Sequence, residues 1–245
     1  MNNIAKKISY LTLLSTLLTN TKVSKVKADY VPNQNNLNVE VWGEPEYADS
    51  MIEVLDNLSC GLSNYMNARN LRIVLLDGND AAEALYEELI GEYPGRMLGA
   101  SFIESDGSFI VAAEVGDCSS YYYDYPESSK GLTEDDFCYR VNKNILLHEL
   151  GHFIDIDCLS ETEEFINIFY SEWENFKSTT CYKVDSFQIE ANINTSNEYI
   201  SSAFAEYMCY PEEMRKYCPL TYEYLYNLLA DIEYNYGNSK KLVLK

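Results

Sequence analysis

The chain has 245 residues and a mass of 28.1 kDa, with 39 acidic side chains against 18 basic ones and 22 tyrosines. Five of the lysines (Lys6, Lys7, Lys22, Lys25, Lys27) fall within residues 1–28, which hold no acid, so residues 29–245 carry 13 basic against 39 acidic groups, a formal charge of −26. Such a surface repels phosphate, which excludes nucleic acid as a partner and disfavours anionic lipid.

Lys6 and Lys7 precede the apolar stretch Ile8–Leu18, too short to span a bilayer, and polar residues follow as far as Val26-Lys27-Ala28. This pattern predicts a secretory signal peptide over 1–28 and a secreted mature domain over 29–245 with no membrane attachment. Leu37–Trp42 alternates like a short strand, and Met51, Val54, Leu55, Leu58 and Leu62 recur at the spacing of one amphipathic helix over 47–65. Leu71–Leu76 reads as a buried strand and Ala81–Ile90 as a helix. Gly99–Glu104 and Ser108–Val115 flank Asp106-Gly107, a hairpin signal, and Ser108–Val115 is expected to be an exposed sheet edge.

Gly116–Asp136 reads as a polar connector carrying Tyr121, Tyr122, Tyr123 and Tyr125. Helices are expected thereafter over Phe137–Ile156, Glu161–Lys177, Asn197–Cys209 and from Thr221. The stripe Phe165, Phe169, Trp173 and Phe176 reads as core packing. Strands first and helices second predict an α+β fold, with a mixed sheet in 29–136 and a helical half in 137–245. Seven cysteines with no C-x-x-C pair exclude a thiolate zinc finger or iron–sulfur site and leave any disulfide pairing unassigned.

The chemistry sits in His148-Glu149-Leu150-Gly151-His152, which contains the protein's only two histidines. Four residues on a helix of 3.6 residues per turn bring both imidazoles to one face, where they can share a metal ion. Glu149 projects to the side of that pair, placed to take a proton from a water on the metal. A hydrolytic zinc site needs a third protein ligand and one open position. Metzincin spacing would use Cys158, but Asp155 stands where the required glycine would be, and Asp155 is better suited to orienting an imidazole. That leaves a glutamate of a later helix, Glu198 or Glu206.

His148-Glu149-Leu150-Gly151-His152-Phe153-Ile154-Asp155, together with Glu198…Ala203-Phe204 and the ending Cys218-Pro219-Leu220-Thr221-Tyr222, resembles the anthrax lethal factor-like zinc metallopeptidases, a family that includes secreted Pro-Pro endopeptidases. The resemblance implies a zincin-like fold with one zinc per chain held by His148, His152 and Glu198, and with Glu149 as the catalytic base. It also implies a peptide or protein substrate bound in extended form along the sheet edge. The family's oxyanion-donating tyrosine, seven residues before the ligand glutamate, is Ala191 here, which makes Tyr182 the candidate donor. The acid expected one turn after that glutamate is Ser202, which implies weaker support of the metal ligands. A tryptophan associated with proline selectivity has Phe102 as its nearest counterpart, so cleavage at proline-rich sites stays open. The competing readings are an inactive secreted zinc-binding module and a zinc hydrolase acting on a non-peptide bond.

Overall fold

The computed structural model describes residues 28–91, 98–104, 106–124, 129–183 and 195–237. The expected signal peptide lies outside these residues except for Ala28, the first residue of strand β1 (Ala28–Tyr30). There follow β2 (Asn38–Trp42), α1 (Ala48–Asp56), α2 (Cys60–Ala68), β3 (Leu71–Leu76), α3 (Gly78–Ile90), β4 (Gly99–Ile103) and β5 (Phe109–Glu114). The remainder is helical: α4 (Ser119–Asp124), α5 (Glu134–Ile154), α6 (Glu163–Phe176), α7 (Ser196–Cys209), α8 (Pro211–Tyr217) and α9 (Pro219–Tyr236).

The strands form one mixed sheet in the order β1-β2-β3-β5-β4. β2, β3 and β5 run parallel, and β1 and β4 pair antiparallel at the two ends. The central strands are buried on both faces, and the period of two sorts their side chains. Ile73, Leu75, Val111 and Ala113 point into a core shared with α1, α2 and α5, whereas Val74, Leu76, Ile110 and Ala112 meet Ala82, Leu85 and Tyr86 of α3.

Two expectations need correction. The helix predicted over 47–65 is two helices, because Ser59 adopts an extended backbone and its hydroxyl accepts from Leu62 N–H, starting α2. Leu58 and Leu62 are buried on both sides of this break, so the apolar period runs through it unaltered. The exposed sheet edge is not Ser108–Val115: β5 is enclosed between β3 and β4, and the outer strand is β4. The Asp-Gly turn does join two antiparallel strands, but a turn signal says nothing about which of the two takes a third partner. The connector 116–136 holds the short helix α4, with Tyr122 donating to Leu132 C=O, while Tyr125 lies outside the described residues.

The helical half has its own core, in which Phe165, Phe169 and Phe176 of α6 surround Tyr199 of α7, so the aromatic stripe is packing. α8 and α9 both open on proline, which suits a first turn whose N–H groups have no helical partner. α9 is fastened to α6 by the buried Glu172, whose carboxylate accepts from Leu220 N–H at 2.9 Å, Thr221 N–H at 2.8 Å and the Thr221 hydroxyl at 2.7 Å. Glu172→Ala would leave the two Thr221 donors without this acceptor in the interior and release the Leu220 N–H. Denaturant unfolding should show a loss of about 3 kcal/mol; a loss below about 1 kcal/mol would mean that these bonds do not hold α9.

Candidate active site

α5 starts where Thr133 caps it, its hydroxyl accepting from Asp136 N–H, with three acids in the first turn beside the positive end of the helix dipole. The helix is buried on nearly every side, between the sheet and α7, and its last two turns carry His148, Glu149 and His152. The two imidazoles lie edge to face with centroids 4.8 Å apart. Across from them, Thr195 caps α7 and its hydroxyl accepts from the N–H of Glu198, which places Glu198 in the first turn.

Gly151 sets the distance between the two helices. A Cβ there would stand 2.5 Å from Ser201 Cα and 2.7 Å from Ser201 O, so α5 and α7 touch backbone to backbone. This contact places the Ser201 hydroxyl 2.8 Å from His152 Nδ1 and the Ser202 hydroxyl 3.1 Å from His148 Nδ1. With the Ser201 hydroxyl donating to Asn197 C=O at 3.1 Å, it accepts from His152 Nδ1–H, the tautomer that leaves the Nε2 lone pair for a metal. Burial, reinforced by His148, lowers the His152 pKa to about 4, which also favours the neutral, ligating ring.

Ser202 therefore contacts an imidazole at the position where an acid was expected. Asp155, expected to orient an imidazole, instead accepts from Ser160 N–H at 2.7 Å, the Ser160 hydroxyl at 2.6 Å and Asn197 Nδ2 at 2.8 Å. The reason is geometric: α5 ends at Ile154, and the following 3-10 turn directs the carboxylate toward the first turn of α7. Asp155 thus positions the residue next to Glu198. Cys158 sits exposed in a left-handed turn.

His148, His152 and Glu198 form the one group of potential metal ligands among the described residues, with donor atoms within 4.8 Å of one another. Glu198 Oε2 is 3.3 Å from His148 Nε2, and Oε1 is 3.7 Å from His152 Nε2. Donors about 2.0–2.1 Å from a tetrahedral ion stand roughly 3.3 Å apart, so the Glu198–His148 spacing matches a shared metal and the set is compatible with one after a small inward movement. Burial works to raise the Glu198 pKa, but the hydrogen bond to His148 and the proximity of His152 hold it below the ordinary value.

Glu149 is buried beside this group. Ser101 of β4 donates to its Oε2 at 2.8 Å, while Oε1 faces Gly99, where an added Cβ would lie 2.5 Å away. Burial lifts the Glu149 pKa to about 7. The hydrogen bonds Glu114 N–H to Leu98 C=O and Glu104 N–H to Ser108 C=O fix the antiparallel alternation, so Gly99, Ser101 and Ile103 turn their backbone groups outward. The open edge thus passes directly over Glu149. Phe102 packs edge to face on Tyr86.

Glu206 is fully buried at the other end of α7, two turns from Glu198, and accepts from Cys181 N–H at 2.8 Å. It is not in the ligand group. Tyr182 packs its ring against Trp173 and Phe176, and no hydrogen bond joins its hydroxyl to the site among the described residues. Ala191 lies outside the described residues. Sequence reasoning missed Ser101, Gly99, Ser201 and Asn197. The only local signal was the small size of residues 99, 101, 151 and 201, which does not identify the element each one faces.

The family model described as anthrax toxin lethal factor, N- and C-terminal domain, matches residues 40–228, and the chain belongs to that family. Its fold is α+β, with a mixed sheet and a mostly helical C-terminal half, as expected. Among solved structures, that of the Pro-Pro endopeptidase of Paenibacillus alvei is similar, at 24% sequence identity over 79% of this chain and 98% of that one, with a TM-score of 0.47. No curated protein matches the chain.

Ser201→Ala should weaken metal binding about 10–100-fold, measured by competition with a chelator; unchanged affinity would remove Ser201 from the support of His152. Glu206 supplies a pH test. Burial raises its carboxyl pKa to about 7 from the ordinary 4.5, so the folded state holds a proton that the unfolded state has released. Its contribution is greatest below pH 4.5 and is lost as pH rises through about 7. The wild type should lose up to about 3 kcal/mol relative to Glu206→Gln over that interval in denaturant unfolding; parallel pH profiles would contradict this.

Proposed function

We propose that the chain is a secreted zinc-dependent endopeptidase that hydrolyses an extended peptide lying along the outer edge of β4. The observation that carries this reading is the convergence of two imidazole nitrogens and the Glu198 carboxylate beside the buried Glu149, under a strand edge that no other described strand pairs. Family membership supports it.

His148, His152 and Glu198 would hold the zinc. The ion would supply Lewis acidity, polarising the scissile carbonyl and making a water nucleophilic at neutral pH. The outward N–H and C=O groups of Gly99, Ser101 and Ile103 pair with the peptide backbone and hold it across the site. Gly99 leaves room for Glu149 Oε1 at that edge, and Ser101 fixes Oε2 by its hydrogen bond. Glu149 takes a proton from the attacking water and passes it to the leaving amine. Its burial keeps the protonated form accessible between those two events. Ser201 and Ser202 hold the imidazoles. Proline-rich peptides are the first substrate set to test, with Phe102 as the aromatic residue on the edge strand.

Glu149→Gln should lower kcat/KM by about 10²–10⁴-fold on a peptide library while the chain still binds one zinc. His148→Ala or Glu198→Ala should lose the metal, and Glu206→Ala should keep it, as elemental analysis will show. A wild type that binds zinc and cleaves no peptide would instead support a non-catalytic binding module. Tyr182, whose ring packs against Trp173 and Phe176, is the candidate oxyanion donor. Tyr182→Phe should then lower kcat by about 10²–10³-fold, whereas turnover retained within about threefold would remove its hydroxyl from that role.

A further inference from the structure

At the far end of the α5–α7 contact, where α7 closes with Cys209, lies a cavity of about 270 Å³ lined by Tyr139, Arg140, Lys143, Asn144, Cys181 and Cys209, among others. The proposed peptidase chemistry uses none of these residues. Cys181 and Cys209 both line this cavity, and the Cys181 backbone N–H donates to the Glu206 carboxylate at 2.8 Å. Cys181 is buried and Cys209 is partly exposed. The hydrogen bond with Cys181, followed by the charges of Lys143 and Arg140, holds the Cys209 thiol below its ordinary pKa. Glu206, raised to about 7 by burial, matches a proton acceptor for the second thiol.

A second thiol pair gives the contrast. Cys118 and Cys138 also touch, but both are buried, and burial together with nearby acids (Glu114 and Asp117 for Cys118, Asp117 and Glu134 for Cys138) raises both thiols. Contact alone does not make a thiol exchange. Access, a stabilised thiolate and a base do, and only the pair at the cavity has all three.

We propose that Cys181 and Cys209 are an exchange-active dithiol that closes to an intramolecular disulfide by reaction with a small, carboxylate-bearing disulfide such as oxidised glutathione. Arg140 and Lys143 outweigh the one acid of the lining, Asp136, and draw the anionic reagent to the cavity of an otherwise strongly acidic chain. The Cys209 thiolate attacks one sulfur of the reagent, forming a mixed disulfide and releasing one thiolate. Cys181 passes its proton to Glu206, and its sulfur attacks the Cys209 sulfur, forming the protein disulfide and expelling the second thiolate. The protein loses two electrons, and the reagent gains two and becomes two thiols. The link closes the segment from 181 to 209, which contains Glu198, Ser201 and Ser202, and so limits the excursions of the helix carrying the third metal ligand.

The test treats the folded chain with oxidised glutathione, quenches with an alkylating agent and maps the cysteines by mass spectrometry. The expected result is a Cys181–Cys209 linked peptide as the dominant intramolecular product, with Cys118 and Cys138 recovered as alkylated thiols. Cys181→Ser should trap glutathione on Cys209, and Glu206→Gln should slow closure of the mixed disulfide at least about tenfold. Recovery of Cys181 and Cys209 as alkylated thiols, under conditions that modify the exposed Cys60 and Cys158, would overturn the proposal. So would a dominant Cys118–Cys138 link. The readout is the state of the sulfurs, so its outcome is independent of peptide cleavage.

Discussion

The contact between the backbones of α5 and α7 at Gly151 and Ser201 is the constraint on which the site depends. Helices are usually held 8–10 Å apart by the side chains between them, and here one position has none. That approach lets serine, a side chain with a single rotatable arm, span the gap from one helix to an imidazole on the other. Any larger residue at 151 would displace α7, and with it both imidazole partners and the carboxylate that completes the ligand group.

Around that contact the polar groups form a chain rather than independent pairs. Asp155 holds the Asn197 side chain, Asn197 C=O accepts from Ser201, and Ser201 accepts from His152. The links share residues, so Asp155, Asn197, Ser201 and His152 are positioned together. The residue between Asn197 and the serines in sequence is Glu198 itself. Helix geometry thus transmits the anchoring of one residue to the aim of its neighbour.

Much of this was legible in the sequence, for identifiable reasons. The two histidines and Glu149 lie on one helix, where spacing translates directly into direction, and Leu71–Leu76 is bounded by unambiguous turn residues. The resemblance to a family distinguished Glu198 from Glu206, which composition could not, since both lie on the same buried helix. What escaped were relations between elements. The mistaken edge strand, the contact of Ser202 with an imidazole and the reassigned Asp155 all depend on which element packs against which. The break at Asn57–Ser59 was hidden for a different reason, because the apolar period continues through the turn while the backbone does not.

The margin of β4, paired by no other described strand, has a cost beyond its proposed use. Outward-facing amides that accept a peptide will accept any extended chain, including the margin of a second copy, and Ile103 offers a greasy, 67% exposed handle at its end. Glu104 and Asp106 close that strand, and the charge of −26 on residues 29–245 repels its own kind while leaving a short uncharged peptide free to approach. The acidity of this protein is thus a safeguard against strand-to-strand polymerisation, strongest in dilute electrolyte and weakened wherever salt screens it.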